Sequence, residues 1–321
     1  MNIYDAIAEV DSQSIAQGAE ILKRGGLVAF PTETVYGLGA DACNEAAVAG
    51  IFAAKARPAF NPLIVHVPDF EMARNYGVFP DRAQRLAKAF WPGALTLVVR
   101  KTADCALSRL VSAGLDTVAL RVPADAAAQS LLRAFGGPVA APSANPSGRI
   151  SPTEAEHVAE GLGGKVELIL DGGACEVGME SAIVGFGDET AVLLRPGGIS
   201  RQQIEDVLGG KLADHEPGKG VSAPGQTRSH YAPRAALRLN ARTPREGEMW
   251  LGFGPGGPQN IPGLNLSPAG DLQEAAANLF AYLHMLDDTG AGKIAVMPIP
   301  HTGLGEAIND RLQRAAADRD A

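Results

Sequence analysis

The chain has 321 residues, 36 acidic against 28 basic side chains and a formal charge of −8, a length that points to two domains rather than one. With 46% hydrophobic and 20% charged residues it has the composition of an ordinary globular protein, which excludes wholesale disorder. The acidic balance argues against an unaided grip on duplex DNA or tRNA, because such binding needs many lysine and arginine contacts gathered on one face.

Three cysteines, Cys43, Cys105 and Cys175, are an odd number without CxxC spacing, so neither a disulfide framework nor a structural zinc site is expected. The first residues, MNIYDAIAEVDSQS, carry acids where a secretion signal carries bases. No apolar run approaches the roughly 18 to 20 residues that cross a bilayer. The expectation is a cytoplasmic protein with no membrane partner.

From the start to about residue 208, short β-branched runs alternate with helical patterns, as in a sheet covered by helices. The spacing predicts strands at Leu27–Phe30, Leu63–Val67, Leu95–Arg100, Thr117–Val122, Val139–Ala141, Ala182–Val184 and Val192–Leu194. Asn44 is placed to cap a helix that carries Val48, Ile51 and Phe52 on one face. Ser151-Pro152-Thr153-Glu154 and Ser200 with Gln203 both read as capping boxes. Residues 209–234 lose periodicity and gain Gly, Pro and Ser, as a linker does, yet carry the polar-aromatic cluster Arg228, His230 and Tyr231. Such a cluster suits a segment packed over something. Residues 235–321 read as a small α/β unit, with strands at Ala236–Leu239, Met249–Phe253 and Lys293–Met297 and helices over Asp271–Leu286 and Leu304–Ala316.

The chain has no P-loop, HExxH, GxSxG or kinase signature. YGLGADA lacks the third glycine and the downstream acid of a dinucleotide fingerprint. Polar residues gather instead in loops at strand ends: Thr32, Thr34 and Tyr36; Lys55, Arg57 and Asn61; His66; Arg121; Ser143, Asn145 and Arg149. Several cations, hydroxyls and an amide without a base-supported nucleophile suit holding a polyanion such as a triphosphate beside a small polar substrate, with catalysis by positioning and charge stabilisation. Each also has an ordinary structural reading. Lys55 and Arg57 would complement a helix dipole, His66 would be a half-buried histidine, Ser143 and Asn145 turn residues, and Tyr36 core. His157, His215, His284 and His301 lie scattered without metal-ligand spacing.

PTETVYGLGADA, KARP with NPLIVH, FWPGALTLV, ALRVP, APSANPSG, ESAIV and LLRPGGIS occur in this order over residues 20–205, followed by HYAP and by AVMPIPHTGLGEAINDRLQRAA. In these motifs the chain resembles the threonylcarbamoyl-AMP synthase family, the YrdC-like enzymes, in its longer form. The resemblance implies a mixed α+β fold in which a twisted mixed sheet surrounds a deep cavity (1–208), a linker folding over the site (209–234) and a small Rossmann-like α/β extension (235–321). It implies a nucleotidyltransferase that makes threonylcarbamoyl-AMP and pyrophosphate from L-threonine, bicarbonate or CO2, and ATP. That product would pass to tRNA threonylcarbamoyl-transfer proteins for modification next to the anticodon, without strong direct nucleic-acid binding. By the same resemblance Thr34, His66, Arg121, Ala141 and Ser181 match threonine-contacting positions. Arg57, Asn61, Thr117, Ser143, Ser151, Arg195 and Tyr231 match ATP-contacting ones. Lys55 with Arg57 would act on the reacting phosphates, and Thr32, Tyr36, Asn145 and Arg149 would complete the cavity. Mg2+ would be bound mainly through ATP phosphates, with no metal held by protein side chains. Ala182, Ala223 and Gln226 depart from the family's usual Thr, Ser and Met. Two other readings of the pocket are a regulatory module that binds RNA or a nucleotide, and an adenylating enzyme for another hydroxy-amino acid.

Overall fold

The structure is a computed structural model that describes residues 2–187, 190–215, 223–225, 229–256, 258 and 261–317. Gln226 and Arg228 lie outside the described residues. Most of the chain up to residue 214 builds one mixed 12-stranded sheet. Its strands are β1 (Ile7–Glu9), β2 (Val28–Phe30), β3 (Gly37–Asp41), β4 (Ile64–His66), β5 (Gly77–Val78), β6 (Leu95–Lys101), β7 (Thr117–Arg121), β8 (Val139–Ala140), β9 (Leu168–Asp171), β10 (Ala182–Phe186), β11 (Ala191–Arg195) and β12 (Ala213–Asp214). Their spatial order is β1-β9-β2-β3-β8-β4-β7-β6-β10-β11-β12, with β5 paired to β6. Helices α1 (Ser12–Lys23), α2 (Glu45–Lys55), α3 (Phe70–Arg74), α4 (Asp81–Phe90), α5 (Ala126–Phe135), α6 (Ala155–Leu162) and α7 (Arg201–Leu208) connect them.

The strand period of two divides the core. Val28 and Phe30 of β2 join Ile15, Leu22, Leu131 and Leu132 from α1 and α5. Ala29, between them, joins Val48 and Ile51 of α2 together with Val65 and Leu120. Asn44 caps α2 by accepting from the amides of Ala46 and Ala47, and Ser200 and Gln203 form the expected capping box on α7. The box expected at Ser151–Glu154 does not form: α6 begins at Ala155, and Glu154 makes no side-chain cap. The Ser151 hydroxyl, which in a cap would accept from a helix-terminal amide, instead donates to the buried Glu180 carboxylate at 2.5 Å, a charge-assisted hydrogen bond.

The remainder forms a parallel sheet of order β13-β16-β14-β15, from β13 (Ala236–Arg238), β14 (Met249–Gly252), β15 (Gly263–Asn265) and β16 (Lys293–Val296), with α8 (Leu272–Asp288) and α9 (Gly305–Ala315). Leu279, Phe280 and Leu283 of α8 and Ile308 and Leu312 of α9 pack on Ile294 and Val296. That cluster does not stop at the second sheet. It takes in Val35, Ile150 and Met179 from loops of the larger sheet, and Tyr231. Gly178 has φ +63°, and a Cβ there would lie 2.2 Å from the Ala277 carbonyl oxygen of α8, so this close approach requires glycine.

Candidate active site

Strand register assembles one side of the site. β4 and β7 run parallel with His66 opposite Arg121, which sets an imidazole and a guanidinium side by side at two strand ends. The Arg121 guanidinium donates to Thr34 Oγ1 at 2.8 Å, to the Gly93 carbonyl at 3.2 Å and to Glu33 Oε1 at 2.6 Å. The other Glu33 oxygen accepts the Ala124 amide at 3.0 Å. Burial opposes ionisation of Glu33, yet Arg121 holds its pKa below the usual carboxylate range. His66 is buried, its Nδ1 has no hydrogen-bond partner, and burial together with the Arg121 charge pushes its pKa down to about 3. It is therefore a neutral imidazole at physiological pH.

The opposite side is cationic. Ala56 ends α2 in a left-handed conformation, φ 51°, and turns Arg57 inward. Arg57 donates from Nε to the Asn61 carbonyl at 3.1 Å and from Nη2 to the Pro62 carbonyl at 2.8 Å. Burial lowers its pKa to about 10. Arg195, at the end of β11, binds the Ser181 carbonyl from two nitrogens, at 3.3 and 2.9 Å, and the Pro224 carbonyl at 3.3 Å. The Ser181 hydroxyl is 2.7 Å from that of Thr96.

From the segment 209–234, Pro224, Gly225, His230 and Tyr231 line the same site. Ala223 is fully buried among Ile64, Val98, Ala119 and Ile183, so alanine in place of the family's usual serine leaves its methyl in apolar packing. Gly225 has φ +84°, and a Cβ there would lie 2.8 Å from the Tyr231 hydroxyl and 2.9 Å from Arg195 Cδ. Tyr231 is itself left-handed, φ 63°, and its hydroxyl has no hydrogen-bond partner. Its ring stacks 5.5 Å from Phe280 of α8 and meets His230 edge-on at 4.0 Å. Ala232 then donates its amide to the Gly148 carbonyl at 2.8 Å and bridges Arg149. Residues 213–214, within the segment read as linker, form β12 beside β11.

These walls line a pocket with about 530 Å3 of empty space, its open mouth included. Thr32, Thr34, Arg57, His66, Arg121, Ala141, Ser143, Ser181, Arg195 and Tyr231 all line it, as do Glu180, Pro224, Gly225 and His230. Other expected residues stand behind the lining. Lys55 is buried and donates to the carbonyls of Ser143 and Asn145, with burial pulling its pKa well below the ordinary lysine value. Asn61 holds Arg57 through its carbonyl while its Oδ1 lacks a partner. Ser151 reaches the cavity only through Glu180. Tyr36 donates to the Gly173 carbonyl at 2.8 Å, and Thr117 pairs with Arg100 at the far end of β7. Asn145 and Arg149 line a second cavity of about 1080 Å3, where His157 and His284, remote in sequence, stack 3.9 Å apart. Sequence reasoning missed Glu33, Glu180, Arg311 and Phe280. Glu33 and Glu180 sit inside the quoted motifs PTETVYGLGADA and ESAIV, each beside the polar residues Thr32, Thr34 or Ser181, where a buried arginine would need a counter-charge.

A family profile described as "Telomere recombination" matches residues 20–197, and one described as "Threonylcarbamoyl-AMP synthase, C-terminal domain" matches residues 199–317. The chain is 42% identical to a threonylcarbamoyl-AMP synthase of Bacillus subtilis, with 99% of this chain and 97% of the relative covered. It is 41% identical to one of Pyrococcus abyssi, over 99% and 98%. Among solved structures it is similar to P. abyssi Sua5 complexed with L-threonine, with a TM-score of 0.89, 40% identity and 97% of each chain covered. E. coli YciO superposes at a TM-score of 0.54 with 26% identity, covering 60% of this chain and 94% of that one. Both sheets, the strand-end cavity and the residues of 223–231 that line it thus fall within matches that span nearly the whole sequence, and the chain belongs to the threonylcarbamoyl-AMP synthase family.

Proposed function

We propose that this chain is an L-threonylcarbamoyladenylate synthase, which condenses L-threonine, bicarbonate or CO2, and ATP into threonylcarbamoyl-AMP and pyrophosphate in the 530 Å3 pocket. The observation that carries this reading is the division of one cavity in a net-acidic protein. The polar group Thr34, His66, Arg121 and Ser181 lines the same pocket as two further arginines, Arg57 and Arg195, suited to phosphates. The threonine nitrogen attacks CO2, forming an N–C bond and releasing a proton. A carbamate oxygen then attacks the α-phosphorus as the bond to pyrophosphate breaks. Arg57 and Arg195 would offset the charge that develops on the leaving phosphates, and neutral His66 can accept a hydrogen bond without adding charge near the amine.

Lys55 would act by holding the Ser143–Asn145 loop rather than by touching phosphate. Glu33 and Glu180 are already engaged by Arg121 and Arg311, so among the described residues no free carboxylate pair faces the cavity. Mg2+ would enter on the ATP phosphates and supply charge neutralisation there. We also propose the divisions 1–208, 209–234 and 235–321, the middle segment serving as a cover, and delivery of the product to tRNA-modifying proteins. Among the described residues no helix is long and apolar enough to cross a membrane.

The test is pyrophosphate release from ATP with threonine and bicarbonate each present or omitted, alongside mass spectrometry of the nucleotide products. Release that needs both, with a threonylcarbamoyl-AMP mass, is the expected result. Release without bicarbonate would point to direct adenylation of a carboxylate, and ATP binding with no release to a regulatory module.

A further inference from the structure

Arg311 sits on α9, in the smaller unit, yet its side chain is completely buried against the wall of the cavity. Its Nε donates to Glu180 Oε2 at 2.8 Å and its Nη2 to the Pro196 carbonyl at 3.0 Å, both in the larger unit. Its Nη1 is held by Asp310 at 2.6 Å, and its guanidinium carbon lies 5.1 Å from the centre of the Tyr231 ring. One guanidinium therefore touches the three structures that close the nucleotide side: the Glu180 loop, the turn after Arg195, and the covering tyrosine. The backbone beside it contributes as well, since the Arg314 carbonyl accepts the His230 amide at 3.2 Å. A buried ion pair is a poor source of stability, because desolvation of both charges offsets their attraction. What it supplies is geometry. Glu180 has one oxygen on Arg311 and the other on Ser151, so its carboxylate is fixed between α9 and the loop that carries Ser143.

We propose that Arg311 is a positioning residue for ATP, through which the C-terminal unit sets Glu180 and Tyr231 on the nucleotide side of the cavity while leaving Thr34, His66 and Arg121 in place. The inference rests on the functional reading above for the identity of the nucleotide. Of the polar group proposed to hold threonine, Thr34, His66 and Arg121 lie on β4, β7 and the loop at 32–34, to which Arg311 makes no hydrogen bond among those described; Ser181 alone follows Glu180 in sequence and accepts Arg195 on its carbonyl.

The experiment uses the full chain and measures binding of MgATP and of L-threonine separately, then kcat and KM for each. Arg311→Met is expected to raise the KM and Kd for ATP about tenfold or more, the scale of a lost charge-assisted hydrogen bond, and to keep threonine binding within about twofold. Arg311→Lys should recover part of the loss, since it keeps the charge on Glu180 but not the second bond to Pro196. Arg311→Met strands a buried Glu180 charge and can fail to fold, so Arg311→Met/Glu180→Gln is made beside Glu180→Gln alone. The double variant should fold and bind ATP more weakly than Glu180→Gln. Equal ATP affinity in those two variants, or losses equal for ATP and threonine, would overturn the proposal. If wild type binds ATP but releases no threonine-dependent pyrophosphate, while Arg311→Met still weakens ATP binding, the functional reading fails and the positioning role stands.

Discussion

The two sides of the cavity are built in different ways. The side with Thr34, His66 and Arg121 belongs to one sheet, where backbone register alone puts His66 opposite Arg121. The side with Arg195, Glu180 and Tyr231 is assembled from a strand end, a covering segment and two helices of the smaller unit. A recess set by strand pairing can open only if the sheet does. A wall set by side chains from three places can loosen by parts, with correspondingly lower local stability. Under the proposed function the first would read a small substrate and the second would admit and release a large nucleotide.

The largest expected effect breaks the cationic wall. Arg57→Ala should reduce kcat/KM by about 10²- to 10³-fold, the scale of removing one preorganised donor to developing charge. Its two carbonyl partners lie within the same loop, so circular dichroism and threonine binding should be close to wild type. Wild-type turnover in that folded variant would remove Arg57 from the reaction.

Gly225→Ala probes the cover, with a smaller effect. The methyl would meet the Tyr231 hydroxyl and Arg195 at under 3 Å, and the left-handed backbone adds strain of about 1 kcal/mol. The expected outcome is a rise of about tenfold in the KM for ATP with the threonine KM nearly unchanged. A matching rise in both would mean that the two walls are mechanically one.

How far each wall could be read in advance follows the same division. His66 and Arg121 end β-branched runs, and such runs at strand ends mark ligand loops before any coordinates exist. The capping residue Asn44 was equally legible, because a cap is a local event. β3 was not, since its glycines depress strand propensity and only pairing with β2 and β8 makes it a strand. Lys55 had the right charge in the right motif, but which way a lysine turns at a helix end depends on the carbonyls of residues 143 and 145, some ninety positions on. Arg311 carried no sequence signal at all as a site residue. On an amphipathic helix it reads as a solvated face, and its burial depends on Glu180 being brought to it by a separate sheet.

The smallest effect separates the walls by protonation. His66 on the strand side and His230 on the cover are both buried, and both have pKa values lowered to about 3, His230 by burial and by Arg57, Lys55 and Arg195 against the pull of Glu180. In the unfolded chain a histidine titrates near 6.5. Above that value neither form is protonated and the histidines do not affect stability. As pH falls below about 6.5 the unfolded chain takes up protons that the fold refuses, so stability falls, by up to about 1.4 kcal/mol per pH unit for each histidine. The carboxylates act with the same sign but in a lower window. Glu33 and Glu180 have folded pKa values below their unfolded ones, so the stability they lend is present above about pH 4.5 and is lost only as pH falls further, through their folded values. Denaturant midpoints between pH 7 and 5 therefore isolate the histidines. His230→Phe should flatten that slope by about one proton. If the covering segment opens locally before the sheet unfolds, its proton uptake will appear as loss of ATP binding at a pH where global stability has barely moved, whereas protonation of His66 will appear only with the unfolding of the sheet. A single coincident transition in both readouts would show that the cover has no independent freedom, and that the wall assembled from three places is as rigid as the one made by strand register.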